Sequence, residues 1–418
     1  MPQKSWPKLL KNLHQAHNFL LSLDKNRQKK YGVDNITAFL SFFHHPQDQY
    51  KTIHVAGTSG KGSTCAMISS ILTCARYKTG LAVSPYLSNP LEKIQIDNKL
   101  ISEKAFLKLV NKYKDKLLEF KLTYFEAFIA LTFLFFHEQK VDYAVIETGL
   151  GGRLDATNVL SNPSLSIITN IGLDHTDILG QTKKLIAREK SAIIKNKNAI
   201  TGSRLIKNAR FFDVKKHHKF KLKMLGEFQQ ENAQMAWQAG KFLKIPEKYI
   251  KRGLEQAEFF GRFFIIKKKP LIIVDGAHNP DKMQAFVDSL LMKPFDTSRQ
   301  RRDTQGFLLK SKTLSSPKGV SKSFKHGKRY LLIAIKHNKD YKNILKKIVP
   351  LFDQIIITNF SQGLNPKIIQ KEIAKYHTKS IIINNPQTAY KKILKKLKKE
   401  DLFVITGSLY MIGDVFGK

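Results

Sequence analysis

Two cysteines in 418 residues, a 33-residue acidic complement against 72 basic side chains, and only two tryptophans mark what this chain has little of. No stretch reaches the ~18 consecutive apolar residues of a membrane span, and the start MPQKSWPKLLKNLHQAH lacks the apolar run of a signal peptide. The chain is therefore expected in the cytoplasm, with no membrane partner. Cys65 and Cys74 fall in one predicted helix, where their separation of ~13 Å exceeds the ~7 Å that a disulfide spans. Both are expected as reduced thiols. Aromatic residues are not interleaved with lysines in LKKIV or KKILKKLKKE, so the net charge of +39 does not read as a stacking platform for nucleic acid. A nucleic-acid partner is not expected; a polyanionic small substrate would gain on-rate from such a field.

At 42% hydrophobic and 25% charged, the composition is that of a globular chain longer than one core usually serves, which suggests two domains. From Lys51 onward β-branched runs alternate with helical stretches: KTIHVAG, KGSTCAMISSILTCARY, KTGLAVS, then the apolar YFEAFIALTFLFFHEQK and VDYAVIE. That alternation predicts an α/β fold with a mostly parallel sheet. The pattern resumes with PLIIVDG, RYLLIAI, QIIITNF, SIIIN and LFVITGS, after two amphipathic helices in GEFQQENAQMAWQAGKFL and IPEKYIKRGLEQAEF. The expected domains are 1–260 and 261–418, the second interrupted by a flexible basic insertion at 292–329 rich in Ser, Lys, Arg and Gly.

Strand KTIHVAG runs into Gly57-Thr58-Ser59-Gly60-Lys61-Gly62-Ser63-Thr64 and then into a helix, the context a phosphate-binding loop requires. Glycines let backbone N–H groups turn onto phosphate oxygens, the helix N-terminus adds positive potential, and Lys61 neutralises the β/γ-phosphates. Thr58, Ser59, Gly60, Lys61, Gly62 and Ser63 are the candidate nucleotide contacts. Ser84 and Glu147 each follow a predicted strand, where ligands bind in open α/β sheets, and offer the hard oxygens Mg²⁺ prefers.

Further motifs follow in order: Ser84-Pro85-Tyr86-Leu87, Leu122-Thr123-Tyr124-Phe125-Glu126, the run from Glu147 to Asn158 (ETGLGGRLDATN), Gly172-Leu173-Asp174-His175, Glu189-Lys190, Gly261-Arg262-Phe263, Asp275-Gly276-Ala277-His278-Asn279-Pro280, Lys339-Asp340 and Gly407-Ser408-Leu409-Tyr410. Together they resemble the bacterial dihydrofolate synthase/folylpolyglutamate synthase family of the Mur ligase superfamily, from about Gly32 almost to the C-terminus. The loop has Ser59 where that family usually has Asn; Tyr86, Phe228 and Asn35 are further departures.

The resemblance implies a Mur-ligase-like P-loop ATPase domain followed by a smaller Rossmann-like domain. It implies that Ser84 and Glu147 hold one Mg²⁺ and His175 a second, and that Lys190 is carbamylated. It assigns Asn232 to the adenine, Arg262 to phosphate and Asp275 to the ribose or the arriving groups. Thr123, Tyr124, Phe125 and Glu126 would face the pterin, with Leu154, Asp155 and Ala156 opposite; His278 ranks lower, because with Asn279 it also reads as a helix cap. Lys61, His175, Lys190 and Asp275 are the expected catalytic set. The implied reaction is ATP-dependent ligation of L-glutamate to dihydropteroate or a folate, by a monomer, through an acyl phosphate. A cell-wall-precursor ligase of the same superfamily is the alternative, and a nucleic-acid-binding NTPase a distant one.

Overall fold

The computed structural model describes residues 7, 9–24, 32–216, 219–259, 261–291, 327–376 and 379–416. Of the expected insertion, residues 292–326 lie outside the described residues. The chain divides into two compact units, one comprising Met1–Tyr86, Pro90–Phe220 and Glu231–Ala257, the other Leu87–Asn89, Lys221–Gln230 and Glu258–Lys418.

The first unit is built on an eight-stranded sheet of β1 (Lys51–Ala56), β2 (Thr79–Ala82), β3 (Ile94–Ile96), β4 (Lys99–Leu100), β5 (Tyr143–Glu147), β6 (Leu165–Ile168), β7 (Ala199–Thr201) and β8 (Arg210–Phe211). Their order is β4-β3-β2-β5-β1-β6-β7-β8. β2, β5, β1, β6, β7 and β8 run parallel, and β3 and β4 pair antiparallel at the edge. The central β1 and β5 are buried almost throughout, as strands covered on both faces are. The helices are α1 (Leu13–Ser22), α2 (Asp34–Phe42), α3 (Lys61–Cys74), α4 (Glu103–Glu119), α5 (Tyr124–Glu138), α6 (Thr176–Leu179), α7 (Lys183–Ser191), α8 (Glu227–Phe242, of which Glu231 onward belongs here) and α9 (Glu247–Gln256).

Two of these helices are buried nearly all round. α5 sinks Phe128, Phe133 and Phe136 completely, and Phe128 stacks on Phe106 of α4 with centroids 5.5 Å apart. Each such ring contributes about 1.5–3 kcal/mol by leaving water. α3 carries α9 on its flank; a Cβ at Gly253 would come within 2.4 Å of the Ile71 Cα, so only glycine permits that approach. Cys65 lies buried in α3 and Cys74 is half-exposed at its end, both as free thiols.

The second unit has a six-stranded sheet of β9 (Phe264–Lys268), β10 (Leu271–Asp275), β11 (Arg329–Ile333), β12 (Gln354–Ile357), β13 (Ser380–Ile382) and β14 (Leu402–Thr406), ordered β13-β12-β11-β14-β10-β9 and parallel except at β9. The period-2 alternation of the strands splits its core. Leu331, Ile333, Ile355 and Ile357 face one cluster, and Leu332, Ile356, Phe403 and Ile405 the other. Helices α10 (Pro280–Leu291), α11 (Tyr341–Ile348), α12 (Pro366–Ile373), α13 (Pro386–Leu394) and α14 (Leu409–Phe416) complete it.

Candidate active site

The loop after β1 is shaped by its neighbours on the carboxyl edge of the sheet. Thr58 donates its amide to the Asn170 carbonyl (3.1 Å), and its hydroxyl both donates to the Gly172 carbonyl and accepts from the Gly172 amide. Ser59 donates its amide to Asn170 Oδ1 at 2.9 Å and accepts from Thr169 Oγ1 at 2.7 Å. Gly57 and Gly60 have φ of 151° and 79°, and neither tolerates a Cβ: at Gly57 it would lie 1.8 Å from Thr169 Oγ1, at Gly60 2.1 Å from Asn232 Oδ1. Asn232 therefore lies against the loop, on α8. Gly60 caps α3 without a side-chain hydrogen bond, and Lys61 Nζ folds back onto the Gly57 carbonyl at 3.2 Å. The result is a helix N-terminus whose first turn carries a lysine and no acid, the chemistry of an anion site.

Two strands away, the Ser84 amide donates to Glu147 Oε2 at 3.0 Å, which brings together the two residues expected to share a cation. Glu147 is buried, and a buried carboxylate is stabilised by a positive partner. A carboxylate and a hydroxyl, with remaining positions left to phosphate and water, is a donor set that suits Mg²⁺. Past Glu147 the Gly-rich loop doubles back onto α7: a Cβ on Gly152 would meet the Glu189 carbonyl at 2.6 Å and Lys190 Cα at 3.1 Å, and Arg153 pairs with Glu189 through both backbone and side chain. Lys190 is buried at that contact. His175, half-exposed at a φ of 51°, accompanies Asp174, with its Nε2 3.9 Å from Asp174 Oδ1.

The same loop is held from inside by Asp155. Its Oδ2 accepts from the Leu150 amide at 2.7 Å, and its Oδ1 from both the amide and the hydroxyl of Thr157. Burial pushes this carboxyl up, against the hydrogen bonds from Thr157 and Leu150. Thr157 Oγ1 lies 2.8 Å from Nε2 of His54, an imidazole buried in β1 whose pKa burial drives down to about 3. Asp155 thus shapes the loop, while its neighbour Leu154 is exposed and Ala156 buried.

Thr123 and Glu126 also have local work. Thr123 caps α5, and Glu126 Oε2 accepts from the Thr123 amide (2.8 Å) and hydroxyl (2.7 Å), forming a capping box. Tyr124 and Phe125 are half-buried, and Phe125 packs so tightly on Gly149 that a Cβ there would meet its ring at 2.5 Å. Sequence reasoning missed the groups around these rings. Lys93, only 8% exposed, places its ammonium 4.3 Å from the Phe128 ring centroid, 4.5 Å from Tyr124, and 5.7 Å from both Phe125 and Tyr86. His17 Nε2 lies 3.2 Å from Tyr124 Oη and 3.4 Å from Tyr86 Oη. Burial lowers Lys93 to about 8, opposed by Asp24, and burial with the Lys93 charge lowers His17 to about 4. No motif marks Lys93; the only signal is a lysine where a half-buried hairpin strand begins.

In the second unit Asp275, at the end of β10, accepts from the Phe263 and Ala277 amides, each at 2.7 Å. Burial raises it to about 6, opposed by the Arg262 guanidinium. Asn279 caps α10 through the Lys282 amide, while His278 holds the Gly276 carbonyl with Nδ1 and approaches Lys282 Nζ with Nε2.

Family models match in two places: the Mur ligase middle domain over residues 55–210 and the dihydrofolate synthetase C-terminal domain over 311–418. The dihydrofolate synthase/folylpolyglutamate synthase of Buchnera aphidicola from Acyrthosiphon pisum is 30% identical across 98% of this chain and 96% of its own. The chain belongs to the dihydrofolate synthase/folylpolyglutamate synthase family. The Bacillus subtilis member is 28% identical over 92% of this chain and 94% of its own. Among solved members, the folylpolyglutamate synthase of Thermotoga maritima superposes with a TM-score of 0.76 at 30% identity, covering 96% of both chains. The E. coli FolC protein, solved with DHPP and ADP, shares the fold with a TM-score of 0.79 at 23% identity, covering 98% of both.

Proposed function

We infer that this chain is an ATP-dependent ligase that joins L-glutamate to dihydropteroate, to folates, or to both. The observation that carries this reading is the convergence, on one sheet edge, of the phosphate loop, the Ser84–Glu147 pair and the Gly-rich loop seated on Lys190. Its Buchnera relative bears both activities in its name, and the E. coli protein was solved with DHPP and ADP. A Yersinia pestis member was solved with AMPPNP and a manganese ion. ATP and a divalent cation are accordingly the cofactors.

The phosphate loop amides from Gly60 to Ser63 and the Lys61 ammonium cradle the phosphates, Thr58 and Ser59 fix the loop that presents them through Asn170, and Asn232 takes the adenine side. Ser84 and Glu147 would hold the metal, which supplies charge neutralisation between phosphate oxygens and the acceptor. The γ-phosphoryl group passes to the acceptor carboxylate, the amine of glutamate attacks the acyl carbon, and inorganic phosphate leaves with the bond to oxygen. Positioning and electrostatics supply the acceleration, with no covalent enzyme intermediate. A second metal at His175 and a carbamate on Lys190 are part of this proposal, and Lys190 is buried against the loop at Gly152. Arg262 and Asp275 are proposed for the nucleotide, with His278 on the substrate side. The two unbridged thiols suit a cytoplasmic protein, and a monomer is proposed.

The deciding experiment offers purified protein ATP, Mg²⁺, bicarbonate and labelled L-glutamate, with dihydropteroate and tetrahydrofolate in separate reactions. Incorporation into one or both names the activity. Phosphate release with a cell-wall precursor alone would sink the folate reading.

A further inference from the structure

The two carboxylates expected beside the acceptor also hold local structure. Glu126 spends an oxygen on the Thr123 cap, and both oxygens of Asp155 are engaged by the loop they shape. What remains beside the Tyr124 and Phe125 rings is a cation. Lys93 reaches them from the start of the β3–β4 hairpin, and the three N–H donors of its ammonium meet only ring faces among the described residues. An ammonium carries three donors and no acceptor, so one set against ring faces can still take a ligand oxygen. Nearby, His17 is neutral at physiological pH and pairs with the two tyrosine hydroxyls, and Asp24 accepts the Tyr124 amide at 2.9 Å. Lys93 is therefore the positive charge of this cluster. The cluster adjoins the chemistry through Phe125, whose ring lies on Gly149, two residues beyond Glu147.

We propose that Lys93 is the specificity-determining residue of the acceptor site, donating from its aromatic cage to the ring carbonyl of an oxo-bearing pteridine. The proposal rests on the folate-ligase reading and adds to it a rule of choice. A flat heteroaromatic ring stacks on Tyr124 and Phe125 whatever its substituents. Its carbonyl oxygen accepts from the Lys93 ammonium. An amino group at the same position offers donors to donors, and by raising the basicity of the ring it brings a second positive charge against the ammonium. A site built to hydrogen-bond one substituent rejects the analogue that cannot reciprocate far more strongly than shape alone would.

The test is equilibrium binding by calorimetry of dihydropteroate and its 4-amino counterpart to the full chain, in wild type, K93M and K93R, with ATP binding measured in parallel. Wild type should prefer the 4-oxo compound by about 10²-fold. K93M, which keeps the stem against the rings, should weaken the 4-oxo compound by about 10- to 100-fold and bring the ratio near one, with ATP affinity unchanged. K93R should retain the preference. A K93M protein that keeps the wild-type ratio overturns the proposal, as does loss of the ratio in K93R together with loss of ATP binding, which would mark Lys93 as a structural clamp. Failure of wild type to bind either pteridine would instead overturn the folate reading itself.

Discussion

Burial holds His54 near a pKa of about 3 and His17 near about 4, so both rings are neutral in the folded chain at physiological pH. In the unfolded chain they titrate near 6.5, and the unfolded state therefore binds more protons between those values. With the folded pKa depressed, stability rises with pH through that window and is lost as pH falls below about 6.5. Urea midpoints should fall between pH 7 and pH 5, and His17→Asn should flatten the slope; a midpoint that rises on acidification would contradict the assignment. Legibility at this scale follows how local a role is. Lys61, Ser84 and Glu147 can be read in the sequence because a strand end and its next few residues specify them. Lys93 cannot, because its environment comes from rings at positions 86, 124, 125 and 128, which only the folded chain assembles.

Among the elements, α5 starts on a reciprocal cap that ties Thr123 to Glu126. Thr123→Ala removes the cap acceptor and strands the helix amide, and should cost about 1 kcal/mol, read as a fall of a few degrees in melting temperature. A larger loss of glutamate incorporation than that destabilisation accounts for would show that Thr123 also meets substrate. The T-x-x-E spacing is a legible helix start, and it gives one oxygen of Glu126 to the cap. Long elements are plain in the sequence: the apolar runs of β1, β5, β10 and β14 and the fully apolar α5 declare themselves. The β3–β4 hairpin does not. It has five strand residues around Asp97 and Asn98 at φ of 51° and 60°, too few for a period-2 pattern to stand out. α1 and α2 are similarly short, and their buried faces emerge only against α4 and α5.

For the whole molecule, a charge of +39 surrounds a chain whose substrates are anions. Long-range attraction of this kind is screened within ~8 Å at physiological ionic strength. The KM for ATP should therefore rise several-fold between about 50 and 500 mM salt with kcat little changed, whereas an equal fall in kcat would point to contacts in the transition state. The two-sheet organisation is legible because each sheet repeats the strand–helix alternation; the short passages Leu87–Asn89 and Lys221–Gln230, which belong with the second sheet, carry no such pattern. The placement of the two thiols also gives the chain a built-in stopwatch. Cys74 is open to a labelling reagent from the outset, while Cys65, buried in the helix behind the phosphate loop with its thiol pushed up by burial, reacts only when that helix loosens. In one tube the fast label counts the molecules and the slow label times the opening; saturating ATP should stretch the second interval and leave the first alone.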